Sequence, residues 1–401
     1  MIPPNRMINM RNSNSLRVIQ IGIAAILVFN ISLWVIFLSP GLNDESDDCH
    51  PCKLEDLEKD LDYPGNHLAE PYFIQENQKL CNNTLKNPIL ILVPSRLRDF
   101  DKRTVIRETW ANLDSYLRRP LRSYILAFTV AIPADEREEE IVTQEQAMWG
   151  DLVVLNFKDE YNKLTLQMLL SFKWVQKFCN NSELVFKVDD DTYIHLSALE
   201  RIMGWIYKTK SPTGFFRSRA TDDNRVKKLQ GGIHTSFSPV LREAEFNKSF
   251  TEKWVVKEDD YASDYYPTYN QGPFYFLSAD IVQMIPDHCT MHCLPQTNKK
   301  SKTTSCFWRF EDAFIGSCIS KFAPDVKTLN ISGNFQDVNA EPLSLKVGDW
   351  TAVLHPLKNT SDLVDVHAGF QMLPRNRIMA KIDELNEKLT FKVQEAVRKR
   401  K

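Results

Sequence analysis

The chain has 401 residues, 43% of them hydrophobic and 25% charged, with a formal net charge of −2. That length holds one large domain or two medium ones around a sizeable core. The near balance of charge excludes an overall electrostatic case for a nucleic-acid partner. In chain order, the first feature is VIQIGIAAILVFNISLWVIFL, Val18–Leu38, 21 residues without a charge. At about 1.5 Å per helical residue it spans the roughly 30 Å hydrocarbon core of a bilayer. It is too long for the apolar region of a cleaved signal peptide, and no small-residue cleavage site follows it. An uncleaved anchor is predicted. Arg6, Arg11 and Arg17 precede it without an acid, and Asp44, Glu45, Asp47 and Asp48 follow it. The positive-inside rule then leaves the N-terminus cytoplasmic and the remainder lumenal or extracellular.

Two signals beyond the anchor agree with that orientation. Five Asn-x-Ser/Thr sequons lie there, at Asn82, Asn180, Asn247, Asn330 and Asn359, as predicted glycosylation sites. All eight cysteines also lie there, an even number suited to an oxidising compartment.

Residues 39–87 are acidic and polar and read as a stem. PILILVPSR then has the short, continuous apolar run of a buried strand, and a helix-like KRTVIRETWANL follows. The pattern repeats: strand SYILAFTVAI, acidic helix ADEREEEIVTQEQAMWG, strand DLVVLNF, amphipathic helix KLTLQMLLSFKWVQKFC, strand ELVFKVD. Strands alternating with helices predict an α/β fold with a mostly parallel central sheet covered on both faces. Ligands bind such sheets outside the carboxyl ends of the strands. Neither a GxGxxG nor a P-loop follows the first strand, so dinucleotide and nucleoside-triphosphate readings lack a phosphate cradle.

Asp189, Asp190 and Asp191 stand at one of those strand ends. A capped turn would explain three acids in isolation. At a strand end, Asp-x-Asp also offers oxygen ligands to a hard divalent cation, which can neutralise a diphosphate leaving group. YYPTYNQGPFYFLS, Tyr265–Ser278, reads as an aromatic-walled loop around Gly272, either suited to the flat faces of sugar rings or simply a hydrophobic core loop. In RFEDAFIGSCISK, Glu311 and Asp312 begin an apolar helical pattern. Acids there favour the helix dipole, or serve as a general base toward a hydroxyl.

RTVIRETW, KLTLQM, KVDDDTYIHL, YPTYNQGPFYFLS and EDAFIG, in this order, resemble the signature blocks of the β1,3-galactosyltransferase family, glycosyltransferase family 31, which also holds β1,3-N-acetylglucosaminyltransferases. The resemblance covers roughly Pro88 to Val366. It implies a GT-A type domain, a UDP-sugar donor, Mn2+, inversion at the anomeric carbon and a single-pass type II Golgi membrane protein. It also implies Asp312 as catalytic base with Glu311 beside it, Asp191 and Asp189 as metal ligands, and His355 completing the site, with His367 as the fallback. Donor contacts are expected from Arg103, Arg107, Asp189 and Asp190, and acceptor contacts from Tyr269, Gly272 and Tyr275. The aromatic block departs from the family in having Asn270 and a lone glycine before Pro273, and residues 221–250 and 287–306 read as polar insertions. His288, Cys289, His292 and Cys293 superficially suggest zinc, but in a lumenal domain Cys289, Cys293 and Cys306 are better used in disulfides.

The expected organisation is a cytoplasmic tail (1–17), a signal-anchor (18–38), a stem (39–87), a catalytic domain (88–375) and a solvated, helical basic tail (376–401). The expected activity is β1,3-transfer of galactose from UDP-galactose to a glycan on glycoprotein or glycolipid, with UDP-N-acetylglucosamine as the alternative donor. A non-catalytic lumenal lectin or chaperone would have lost the Asp-x-Asp or the acidic pair, and a metal-dependent hydrolase would need a histidine cluster; neither pattern is present. N-Acetylgalactosamine as donor, the acceptor, disulfide connectivity and a homodimer are left open by the residues.

Overall fold

The computed structural model describes residues 73–75, 77–81, 85, 87–112, 123–160, 163–208, 225–242, 255–256, 263–289, 310–338, 351–371 and 374–400. Residues 1–48, which include the predicted anchor, lie outside the described residues. Among the described residues no helix is long and apolar enough to cross a membrane.

An eight-stranded sheet runs in the order β1-β4-β3-β2-β5-β8-β7-β9. Its strands are β1 (Phe73–Gln75), β2 (Ile89–Pro94), β3 (Tyr124–Val130), β4 (Leu152–Leu155), β5 (Leu184–Val188), β7 (Leu229–Thr235), β8 (Tyr269–Ser278) and β9 (Lys327–Asn330). The predicted central strands β4, β3, β2 and β5 are parallel, while β8 runs antiparallel between β5 and β7. A second sheet, β10-β11-β6, joins β6 (Tyr193–Ile194), β10 (Phe335–Asp337) and β11 (Val353–His355).

Helices α1 (Phe100–Glu108), α2 (Glu136–Trp149), α3 (Leu164–Phe178), α4 (Leu196–Lys208), α5 (Ala279–Cys289), α6 (Glu311–Phe322), α7 (Thr360–Gln371) and α8 (Arg375–Arg400) flank the large sheet. All six residues of β2 are buried, and the first five alternate between two cores. Ile89, Ile91 and Val93 join the core that includes α1, α2, α4, α7 and α8, while Leu90 and Leu92 join the one that includes α3, α5 and α6. The period-2 geometry of a strand thus builds a three-layer α/β/α body from a single apolar run. Helix α2 shows the local logic of its boundaries. The Asp135 carboxylate accepts from Glu138 N at 2.9 Å, and Gly150 closes the other end at φ 70°.

Four expectations need correction. The stem is not wholly outside the fold, because β1 pairs antiparallel with β4 and Cys81 is disulfide-bonded to Cys179. The segment read as an insertion at 221–250 contains β7. Its two glycines disguise a strand: a Cβ at Gly231 would lie 2.2 Å from the Phe276 ring, and Gly232 carries the sheet through a bulge at φ 159°. From Tyr269 onward the aromatic block is the ten-residue strand β8, not a loop. The C-terminal helix is not a solvated tail either, since α8 buries Ile382, Leu389 and Val393 in the core and Arg400 pairs with Glu139 and Glu140. Cys289 bonds Cys318, tying α5 to α6, while Cys49, Cys52, Cys293 and Cys306 lie outside the described residues. So does most of the 287–306 stretch.

Candidate active site

Parallel pairing brings the carboxyl ends of β2 and β5 to one edge of the sheet, with Leu92 opposite Lys187. The chains leaving those strands meet: Ser95 donates its Oγ hydrogen to Asp190 Oδ2 at 3.0 Å, and Lys102 Nζ lies 3.2 Å from Asp190 Oδ1. Antiparallel β8 begins at the same edge, with Phe274 opposite Val188. Gly272 therefore faces the Asp triplet across the strand ends. The small sheet adds the last element. Leu354 pairs with Tyr193, two residues beyond Asp191, so His355 stands beside the triplet with its Nε2 3.4 Å from Asp191 Oδ1.

These elements surround a cleft of about 690 Å³ whose lining includes Asp189, Asp190, Asp191, His355, Glu311 and Asp312. Ligand atoms of Asp189, Asp191 and His355 all lie within 4.8 Å of one another. Two carboxylates and an imidazole are a donor set that fits Mn2+. Burial alone would raise the proton affinity of Asp191, but His355 beside it holds the carboxyl below its ordinary value of 3.8. It is therefore ready to act as an anionic ligand.

Beneath the cleft lies a buried cation. Lys187 is fully enclosed, and its Nζ donates to Asp189 Oδ1 and to Gly272 O, each at 2.5 Å, with Glu311 Oε2 at 3.6 Å. Burial works against the charged form, yet Asp189 and Glu311 outweigh it and raise the pKa of Lys187. Glu311 accepts a further hydrogen bond from the Tyr275 hydroxyl. Burial dominates this carboxyl and pushes its pKa from 4.5 up to about 7, despite the lowering by Lys187. Tyr275 itself is raised well above the usual phenol value by burial and by Glu311.

Asp312 is the partly exposed member of the acidic pair. It stands in the first turn of α6, where its Oδ1 accepts from Ala313 N at 2.8 Å and its Oδ2 from Gly272 N at 3.1 Å. Burial raises its pKa, partly offset by those two N–H groups and Lys187. The result is a carboxylate aimed into the cleft with an increased appetite for a proton. Helix α6 reaches β8 only because Gly316 lacks a side chain: a Cβ there would sit 2.3 Å from Tyr269 Cβ and 2.8 Å from Thr268 O.

The structure brings together the predicted residues Asp189, Asp190, Asp191, His355, Glu311, Asp312, Tyr269 and Gly272. It does not bring Arg103 and Arg107 to the cleft. Arg103 makes a two-pronged pair with Glu145 at 2.6 and 2.8 Å, and Arg107 another with Asp151 at 2.7 and 2.8 Å, all in the buried contact of α1 with α2 and the start of β4. Tyr275 is core rather than sugar wall, only 2% exposed. His367 is also core, its Nδ1 3.0 Å from the Tyr193 hydroxyl and its pKa lowered to about 4 by burial and by His195. The cations at the cleft, Arg96 and Lys102 in its lining and Lys187 buried beneath it, were missed. For Lys187 a signal existed: a lysine inside the apolar run LVFKV must find carboxylates, and three follow it. Of the sequons, Asn180, Asn330 and Asn359 are exposed, and Asn82 and Asn247 lie outside the described residues.

The galactosyltransferase family model matches residues 101–330, more than half of the chain. Human beta-1,3-galactosyltransferase 1 is 26% identical over 258 residues, covering 64% of this chain and 67% of that protein. Human beta-1,3-galactosyltransferase 5 is 26% identical over 283 residues, covering 68% and 78%. Among solved structures, the bifunctional glycosyltransferase WbbM aligns over 75% of this chain and 52% of its own, at 8% identity and a TM-score of 0.36. The chain belongs to the galactosyltransferase family.

Proposed function

We infer that the protein is a metal-dependent, inverting β1,3-galactosyltransferase with a GT-A type domain, held in the Golgi membrane by its N-terminal segment and acting on a glycan acceptor. The observation that carries this reading is the shared cleft: the Asp189, Asp191 and His355 group and the Asp312 carboxylate line one cavity. When bound by those three side chains, Mn2+ supplies neutralising charge to the diphosphate of a UDP-sugar. Lys102 and Arg96, which also line the cleft, add positive charge toward the donor. Asp312 accepts the proton of an acceptor hydroxyl, and the oxygen attacks the anomeric carbon as the bond to the diphosphate breaks. Attack from the face opposite the leaving group inverts the configuration.

Lys187 positions this machinery rather than entering it. Its three contacts hold the Asp189 carboxylate, the backbone at Gly272 and the Glu311 carboxylate in one arrangement. Gly272 in turn donates to Asp312, so metal ligand and base are fixed by a single buried cation. The test is a panel of UDP-galactose, UDP-N-acetylglucosamine and UDP-N-acetylgalactosamine with Mn2+ and mixed acceptor glycans. Galactose transfer in β1,3 linkage is expected. Transfer of another sugar would replace the donor assignment, and UDP release without any transferred sugar would end the transferase reading.

A further inference from the structure

Aromatic side chains extend past the rim of the cleft. β7 and β8 pair as far as Thr235 opposite Tyr269, and the Gln271 side chain donates to Thr235 Oγ1 at 2.9 Å. Both Tyr269 and Gln271 line the cleft. Beyond the strands the two chains stay joined as a ribbon. Tyr266 N donates to Ser238 O and Val240 N to Asp264 O, each at 2.8 Å, and Pro239 bridges Tyr265. The register linking Thr235 to Tyr269 also links Pro239 to Tyr265, which sets Phe237 across from Pro267. Phe237 is thus two residues along the chain from Thr235, the partner of the cleft residue Tyr269.

Two properties single out this ribbon. Phe237 is 73% exposed and Tyr265 56% exposed, so burial in the fold explains neither. Phe237 also holds a φ of 53°, a conformation that a bulky side chain disfavours. An exposed aromatic kept in a strained conformation contributes little packing in return, and such strain concentrates at ligand clamps. Within the same ribbon the Tyr266 ring lies edge-on to Tyr269 and to Phe310, centroids 6.2 Å apart in both cases, and both partners are cleft residues.

We propose that Phe237 and Tyr265 form an outer carbohydrate subsite that receives the second or third ring of an acceptor chain whose reacting hydroxyl lies at Asp312. The proposal rests on the transferase reading above. Pyranose rings present flat C–H faces, and exposed aromatic faces joined to a sugar-transfer cleft provide large, rigid surfaces for them. The subsite selects by chain length: a monosaccharide acceptor reaches Asp312 without touching it.

The experiment measures binding of a ladder of β-linked oligosaccharides, one to four units long and ending in galactose or N-acetylglucosamine, to the metal-loaded protein. Wild type, Phe237→Ala, Phe237→Gly and Tyr265→Ala are compared. Wild-type affinity is expected to rise with length, and each variant to lose roughly tenfold on the trimer and tetramer while monosaccharide binding is unchanged. Phe237→Gly removes the conformational strain, so its melting temperature should hold or rise while the length gain disappears. Affinity independent of length in wild type, or a length gain retained by Phe237→Gly and Tyr265→Ala, overturns the subsite. UDP release measured on the same samples reports separately on the transferase reading, so failure of one does not conceal failure of the other.

Discussion

Replacing Glu311 with Gln tests whether burial governs the acidic pair. Glu311 is 3% exposed, and its pKa rises from 4.5 to about 7, with burial as the leading cause. At about 1.4 kcal/mol per pKa unit, that gap corresponds to roughly 3 kcal/mol. The sign follows from proton counting. Between pH 4.5 and about 7 the folded protein holds a proton on Glu311 that the unfolded chain has released. This contribution to stability is therefore complete below the unfolded value and is lost as pH rises through the folded value. Gln cannot titrate and keeps nearly the same volume, so Glu311→Gln should not suffer that loss. Urea denaturation of both proteins across this range, without added metal, gives the difference curve. Wild type should lose about 3 kcal/mol relative to the variant as pH rises, and parallel curves would refute the burial argument.

Arg103→Met leaves Glu145 buried with one partner fewer, so it should cost on the order of 3–5 kcal/mol of stability while UDP affinity of the folded fraction stays unchanged; weakened UDP binding would return Arg103 to the donor site. His355→Ala should weaken Mn2+ binding by roughly 10–100-fold, whereas His367→Ala, in the Tyr193 cluster, should lower the melting temperature and leave the metal titration in place. Gly316→Ala forces α6 away from β8, and overpacking of this kind costs about 1–3 kcal/mol; turnover should fall with stability because α6 carries Asp312, and unchanged values for both would contradict the packing.

Much of this arrangement could be read from the residues, for local reasons. β2 to β5 are apolar runs that only a doubly covered sheet can bury, and α2 carries both of its end signals in Asp135 and Gly150. The Asp triplet and the EDAF turn stood out because acids next to apolar runs need a purpose. What escaped the reading depends on contacts between distant segments. Arg103 and Arg107 lie one helical turn apart on one face of α1. Whether that face meets a ligand or a helix depends on Glu145, 42 residues further along the chain. β7 was hidden because Gly231 is small to admit the Phe276 ring, a reason visible only once β8 is alongside. The solvated appearance of α8 came from its charge, whereas three buried side chains and the Arg400 pairs hold it to the body.

The central claim is that Asp312 takes the acceptor proton in a cleft whose donor is held by other residues. The most direct measurement is kcat of Asp312→Asn with UDP affinity and melting temperature determined on the same protein. A general base contributes about 10²–10⁴-fold, so kcat should fall by that order while UDP affinity is nearly unchanged. The raised proton affinity of Asp312 adds a direction: wild-type turnover should rise with pH as this carboxyl ionises, and that limb should vanish in the variant. An Asp312→Asn protein that melts earlier yet turns over at the wild-type rate per folded molecule would contradict the account.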